Sequence, residues 1–151
     1  MDTIQSLKQV IMFKDVSEPL LEIVARTAEE ISVAAGDTIV SATDTPNALY
    51  VIRNGTVRVF HEGGKAPAAL FGTGETIGDA PFIDGGQAGL TAVALERVDL
   101  LLIRSAKLAG ALAGRPEAGY ELYRAIAMSL AGRLRRAVRL LQFSGDRDAR
   151  L

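Results

Sequence analysis

The stretch from Leu70 to Ala94, LFGTGETIGDAPFIDGGQAGLTAVA, decides how the rest of the chain is arranged. Six glycines surround a short apolar segment, Pro81-Phe82-Ile83, and an alternating, strand-like pattern follows. Glycine at this density indicates tight bends or a backbone that lies close to another group. A loop, one helical turn and a second loop between two strands would form a pocket whose backbone N–H groups suit an anion.

The segment before this stretch predicts helices followed by short strands. Residues 3–13 and a second segment beginning at Ser17-Glu18-Pro19 have apolar residues at helical spacing, and we expect Glu29-Glu30 to end the second helix. From Ile31 the period changes to two. Asn54-Gly55 between alternating runs predicts a type I′ hairpin, because that turn needs positive φ at both central residues.

The whole pattern predicts a mainly β fold with flanking helices, a small antiparallel barrel or jelly roll. At 151 residues the chain is long enough for one domain with a core of its own. We expect N-terminal helices over 1–30, a β-roll over 31–104 that contains the glycine-rich site at 72–92, and C-terminal helices over 105–143. The polar end, 144–151, is expected to be a flexible tail.

The C-terminal helices carry a regular apolar pattern. Ser105 is expected to cap a short helix that Gly114 ends, and Pro116 to begin the longest helix, which runs to about Gln142. Three/four spacing there is typical of a coiled-coil seam, so we predict a homodimer through this helix. The predicted dimer seam consists of Tyr123, Ala127, Leu130, Leu134 and Leu141, with Tyr120 and Ala137 at the same spacing.

Composition excludes several kinds of site. The sequence has no cysteine, which excludes a thiolate metal site and a Cys nucleophile. Its one histidine, His61, makes a histidine metal site improbable. We therefore expect no metal, no cofactor and no enzymatic activity. No apolar run approaches the ~20 residues of a membrane span, and no signal peptide is visible, so a cytoplasmic location is expected. Residues 1–103 hold 7 Lys/Arg and 14 Asp/Glu, whereas residues 104–151 hold 10 and 4. The acidic first part and the basic last part of the chain attract each other, and we expect them to attract an unidentified partner as well.

The order of elements and several motifs together resemble the cyclic nucleotide-binding domain of CRP/FNR-type regulators. The resemblance covers nearly the whole chain and rests on 35–39 (AGDTI), 49–52 with 54–59 (LYVI and NGTVRV), Gly74-Glu75, Gly78-Asp79 and the strands over 91–103. It implies an eight-stranded β-roll whose glycine-rich stretch is the phosphate-binding cassette. In that family a Glu after the leading glycine binds the ribose, an Arg-Ser/Thr pair holds the phosphate, and the long helix dimerises or closes the pocket.

The chain departs from this pattern at the phosphate. Gly78 matches the leading glycine, and Asp79 stands in place of the Glu, one methylene shorter. Ala88 and Gly89 stand where Arg and Ser/Thr are expected; a shifted alignment offers Leu90 and Thr91, and no arginine lies between Arg58 and Arg97. The resemblance thus assigns a candidate ligand pocket to Gly78, Asp79, Ala80, Ala88, Gly89, Leu90 and Thr91.

The missing arginine favours weakened or lost binding of cAMP and cGMP. A cyclic phosphate leaving water needs charge-assisted hydrogen bonds, and one Arg–phosphate interaction contributes about 1.5–3 kcal/mol. Pro81 also removes one backbone N–H from the short helix. We therefore predict a non-enzymatic regulatory or sensor module that acts through protein interaction or by sensing another small ligand, for which an anion is the candidate.

Two alternatives remain open. The first is genuine cyclic-nucleotide binding, in which the cassette amides and an arginine of the long helix hold the phosphate; Arg133 and Arg136, with Ala137, are the candidate lid. The second is nucleic-acid binding through the arginine-rich helix. DNA binding is the less favoured, because CRP-type regulators use a helix-turn-helix after the long helix and this sequence ends before one would begin.

Overall fold

Two four-stranded antiparallel sheets form the centre of the molecule. The computed structural model describes residues 2–61, 63–64, 67 and 69–149, with side chains described as far as residue 142. The strands are β1 Glu29–Val33, β2 Thr38–Val40, β3 Ala48–Asn54, β4 Val57–His61, β5 Ala69–Phe71, β6 Thr76–Ile77, β7 Leu90–Ala94 and β8 Val98–Arg104. The first sheet has the order β1-β8-β3-β6 and the second the order β2-β7-β4-β5.

Helices cover the roll and extend away from it. They are α1 Thr3–Lys8, a 3₁₀ helix at Ile11–Phe13, α2 Glu18–Thr27, α3 Asp79–Asp84, α4 Ser105–Leu112 and α5 Pro116–Ala149. The mainly β jelly roll with N-terminal helices and a long C-terminal helix is confirmed. Among the described helices, none combines the length and the apolar character that crossing a membrane requires.

Two hydrophobic cores hold these layers together. The first fills the roll between the sheets and includes Ile52, Leu100, Val57 and Ala92, each no more than 1% exposed. The second joins the outer side of the first sheet to the helices, through side chains such as Leu101. Strand β8 contributes to both because its successive side chains point to opposite faces. The helices are therefore fixed against the sheet that carries the site.

The predicted Asn54-Gly55 hairpin is wrong. Strand β3 pairs with β8 and β6, and β4 pairs with β5 and β7, so the two residues connect different sheets. Only Gly55 has a positive φ, at 116°, which excludes a type I′ turn. A Cβ at Gly55 would lie 2.8 Å from the carbonyl oxygen of Arg97. The glycine is required by close approach of the backbone as well as by its conformation.

Several element ends differ from those expected. The first helical segment is interrupted after Lys8, and the 3₁₀ helix replaces its second half. Glu29 and Glu30 begin β1 instead of ending α2, since they pair with Leu102 and Leu101 of β8. At the start of α4, the Ser105 hydroxyl caps nothing: it is buried without a hydrogen-bond partner, and Ser105 is the first helical residue.

The long helix extends further than its expected end at about Gln142, and the flexibility of 144–151 stays a prediction. Helix α5 begins at Pro116, as expected, but continues to Ala149. The segment after Gln142 contains no proline, and a glycine such as Gly145 costs only about 1 kcal/mol within a helix. The last two residues of that tail, 150 and 151, lie outside the described residues.

Candidate functional site

The glycine-rich stretch forms the short helix α3 between β6 and β7. Gly78, at φ 90°, precedes α3, and Gly85, at φ 70°, follows it. A Cβ at Gly78 would lie 2.7 Å from the carbonyl oxygen of Ala48, so this glycine is needed where the cassette crosses β3. The loop, helical turn and loop expected from the sequence are therefore confirmed as a backbone shape.

Asp79 lies at the start of α3 and is almost completely buried, with 2% of its surface exposed. The Thr76 hydroxyl, on β6, donates to its carboxylate, with distances of 2.8 Å to Oδ1 and 3.0 Å to Oδ2. Ser129 of α5 lies at 3.5 Å from Oδ2. A buried carboxylate needs such partners, because leaving its charge unpaired in the interior is costly.

Arg133 of α5 completes this cluster. Its Nη1 lies 3.3 Å from Oδ2 of Asp79. Its Nη2 donates to the carbonyl oxygen of Thr76 at 3.0 Å and to the Thr76 hydroxyl at 3.1 Å. The guanidinium also lies 5.6 Å from the ring centroid of Phe71, within cation–π distance. The long helix is thus tied to the cassette by one arginine with three partners.

The positions that would hold a phosphate in the family are used for other contacts. The amides of Ala88 and Gly89 donate to the carbonyl oxygens of Asp44 and Ala42, both at 2.8 Å. The Thr91 hydroxyl accepts from the amide of Ala42 at 3.1 Å. Loop 41–47 therefore lies against the end of the cassette and takes up its polar groups.

The remaining predicted pocket residues are divided between surface and core. Ala80 is exposed at the first turn of α3, and Gly89 is exposed with φ 74°. Ala88 and Leu90 are partly buried and pack against the core of the roll. The seven predicted residues lie on one segment of the chain, and only Asp79 among them carries a charge.

The three candidate lid residues do not act together. Arg133 faces the cassette, whereas Arg136 lines a groove on another side of α5, beside α2, and Ala137 is exposed. Sequence spacing did not indicate which arginine would reach back. Thr76 was not among the predicted site residues. The sequence feature that could have indicated it is its position three residues before Asp79, in the strand that leads into Gly78.

The predicted dimer seam is split in the same way. Leu130 packs against its own core of helices and sheet. The other four members are exposed, among them Leu134 at 65% and Leu141 at 72%. We name as the free stripe Tyr120, Tyr123, Ala127, Leu134 and Leu141.

Tyr50 lies on β3 beneath the cassette, and its ring is 3.9 Å from the point where a Cβ of Gly78 would stand. Burial raises the pKa of its hydroxyl, and the carboxylate of Asp44 acts in the same direction, against the opposite effect of Arg104. The side chain therefore stays neutral and supports the cassette by packing. Within the described residues, no group of three or more His, Cys, Asp or Glu is placed to hold a metal ion.

Comparison with known proteins agrees with this geometry. Residues 30–115 match the model of the cyclic nucleotide-binding domain. The cyclic AMP receptor protein of Thermus thermophilus is 40% identical over 63 residues, which is 40% of this chain and 29% of that protein.

Two solved structures show the same fold. The Thermus thermophilus catabolite activator protein has a TM-score of 0.72 at 27% identity, over 87% of this chain and 62% of that one. A cyclic nucleotide-binding domain from Methylobacillus flagellatus has a TM-score of 0.79 at 22% identity, over 93% and 81%. With the roll, the cassette between β6 and β7 and a family match over more than half of its residues, the chain belongs to the cyclic nucleotide-binding domain family.

Proposed function

We propose that this chain is a non-enzymatic regulatory module in which binding of cAMP and cGMP is weakened or lost, and which acts through protein contacts or another ligand. The observation that carries the proposal is the Asp79–Arg133 ion pair. The one carboxylate available for a ribose is buried and already bound to Thr76 and Arg133. A nucleotide would have to break these contacts before it gained its own.

The missing phosphate clamp supports the same proposal. Without an arginine and a hydroxyl at the clamp, the lost interactions amount to about 2.5–4 kcal/mol, or roughly seventyfold to nine-hundredfold in affinity. The Ala88 and Gly89 amides do not compensate, since each already donates to a carbonyl oxygen. The function left to the fold is therefore recognition of something other than a tightly held cyclic nucleotide.

Isothermal titration with cAMP, cGMP and cyclic dinucleotides tests this proposal. We expect cAMP and cGMP to bind with dissociation constants above about 100 µM, which corresponds to a binding free energy smaller in magnitude than about 5.5 kcal/mol. The matched variant is Ala88→Arg, which returns a guanidinium to the cassette and should raise affinity for cAMP. Micromolar binding of either mononucleotide by the unchanged chain would contradict the proposal.

One alternative has an observation in its favour, because Arg133 already lies at the cassette. In this alternative Arg133 leaves Asp79 and donates to the cyclic phosphate, while Asp79 accepts from the ribose. Arg133→Gln would then abolish nucleotide binding, whereas Arg136→Gln, at a residue that lines the groove beside α2, would leave it unchanged. Absence of binding in the unchanged chain would remove this alternative.

The module is also proposed to form a homodimer through the free stripe. Four of the five predicted seam residues are exposed on α5, so a second copy can cover them. The family resemblance supports pairing through this helix. A cytoplasmic location remains our expectation from the sequence.

A further inference from the structure

We propose that a second side of α5, distinct from the free stripe, pairs antiparallel with the same side of another copy of this chain. We name this side the groove face. It consists of Glu117, Glu121, Arg124, Met128, Gly132, Arg135 and Arg139. These residues recur every three or four positions, so they lie along one line of the helix, about a third of a turn from the free stripe.

The groove face borders an open groove. The groove, of about 1080 Å³, lies between the first half of α5 and the segment formed by the 3₁₀ helix and α2. Apolar side chains such as Met12 and Leu20 line it. Met128, in the middle of the groove face, is 61% exposed, and Ile11 on the opposite wall is 69% exposed. Met128 and Ile11 therefore present exposed apolar surface along this groove in the described part of the chain.

The charges on the groove face are unevenly distributed along the helix. Glu117 and Glu121 lie in its first half together with Arg124, whereas its second half holds only the cations Arg135 and Arg139. Within the described part of the chain, Glu117, Arg135 and Arg139 take part in no ion pair. Glu121 accepts hydrogen bonds from Ser17, which holds its carboxylate at the wall of the groove. Charges of both signs are thus available to a partner.

A two-fold axis at Met128 would match these charges. Residues equally distant from position 128 would face each other, so Glu117 would meet Arg139 and Glu121 would meet Arg135 of the other copy. A two-fold interface requires this reciprocity, since each residue and its counterpart make the same contact twice. Parallel pairing of the same faces would instead place glutamates opposite glutamates and arginines opposite arginines. Charge complementarity therefore selects the antiparallel arrangement.

Gly132 would allow the helices to approach closely at this face. A Cβ built at Gly132 meets nothing within 4 Å, so its side of the helix is open. In the antiparallel arrangement Arg124 faces Gly132, and a long side chain lies over a position that has none. The same register therefore gives the two helices complementary shapes as well as complementary charges, over a helical segment of about 33 Å.

Cysteine cross-linking tests the contact and its direction, because the chain has no cysteine of its own. We would prepare Arg124→Cys and Gly132→Cys as single variants and oxidise each alone and as an equal mixture. The antiparallel register predicts a covalent dimer in the mixture and mainly monomer in each variant alone. All variants also carry Leu134→Asp, which disrupts the free stripe. Cross-linking then reports on the groove-face contact alone, whether or not the free stripe forms a dimer in the unchanged chain.

Opposite results would overturn the proposal. Homodimeric cross-linking of Arg124→Cys alone would indicate parallel pairing, and no cross-linking in the mixture would exclude contact through this face. Charge reversal provides a second measurement. Reversing Glu117 and Glu121 to Arg should weaken self-association by about tenfold at low salt, and reversing Arg135 and Arg139 to Glu in the same chain should restore it. Failure to restore would contradict the predicted pairing.

Discussion

At the residue scale, Asp79 joins the cassette to the long helix. Its carboxylate accepts from Thr76 on β6 and is paired with Arg133 on α5, so one buried group holds three elements. The position that would read a ribose in the family is thereby used for packing α5 onto the roll. A ligand that used the Asp79 carboxylate would have to compete with the ion pair that docks α5 on the roll.

The coupling of Asp79 and Arg133 can be measured with a double-mutant cycle. Arg133→Gln should lower the free energy of unfolding by about 1–3 kcal/mol, because it leaves a buried carboxylate without its cation. Asp79→Asn should cost less, since about a third of the Arg133 side chain reaches water. We expect the double variant to be more stable than the sum of the single changes predicts, by about 0.5–3 kcal/mol in urea unfolding. Additive effects would show that the pair is not coupled.

Tyr50 gives a prediction for alkaline pH. Because burial raises the pKa of its hydroxyl in the folded chain, the unfolded chain loses this proton first as pH rises. Its contribution is fully present below the unfolded value of about 10 and is lost as pH rises towards the folded pKa. Tyr50→Phe should therefore reduce the loss of stability between about pH 9 and 11, measured by urea unfolding. An unchanged alkaline profile would contradict this assignment.

The family resemblance placed Gly78 and Asp79 at the start of the short cassette helix, where the structure has them, and their role in binding a ligand stays a prediction. The use of Arg133 by Asp79 could not be predicted, since the two are separated by more than fifty positions and depend on how α5 lies on the roll. The hydrogen bonds from Ala88 and Gly89 to loop 41–47 were equally invisible, because backbone partners leave no trace in side-chain patterns.

At the element scale, the apolar residues of α5 serve two different contacts, whereas their spacing predicted a single seam between two chains. The pattern correctly predicted a long helix with an exposed apolar stripe. It also placed Leu130 in that stripe, whereas Leu130 packs against the chain's own core. Spacing alone cannot distinguish a seam between chains from a side that packs on the same chain, because both require apolar residues every three or four positions.

This distinction separates two leucine variants. Leu134→Asp, at an exposed position, should convert a dimer to a monomer in light scattering with little change in stability. Leu130→Asp should instead lower the stability of each chain by about 2–4 kcal/mol, since it buries a charge against the core. If Leu134→Asp left the mass unchanged, the proposed pairing through the free stripe would be wrong.

At the scale of the whole molecule, the sequence predicted the class of fold better than its connections. Alternating runs and glycine-rich turns gave most of the strands and the mainly β class. The link at Asn54-Gly55 was predicted as a hairpin because local turn statistics assume that neighbouring strands pair. In this fold β3 and β4 belong to different sheets, and pairing is decided by long-range packing of the two cores.

The central position of β8 has a consequence for how the chain folds. Strand β8 lies between β1 and β3, which have no contact as sheet neighbours without it. The first sheet therefore cannot be completed until residues 98–104 have been synthesised, although two of its other strands, β1 and β3, come much earlier in the chain. Pairing across such long separations slows folding, because the entropy of closing the loops is lost before the contacts form. Strand β1, whose sheet partner is β8, must therefore remain unpaired on the ribosome until residues 98–104 emerge, whereas β3 can already pair with β6.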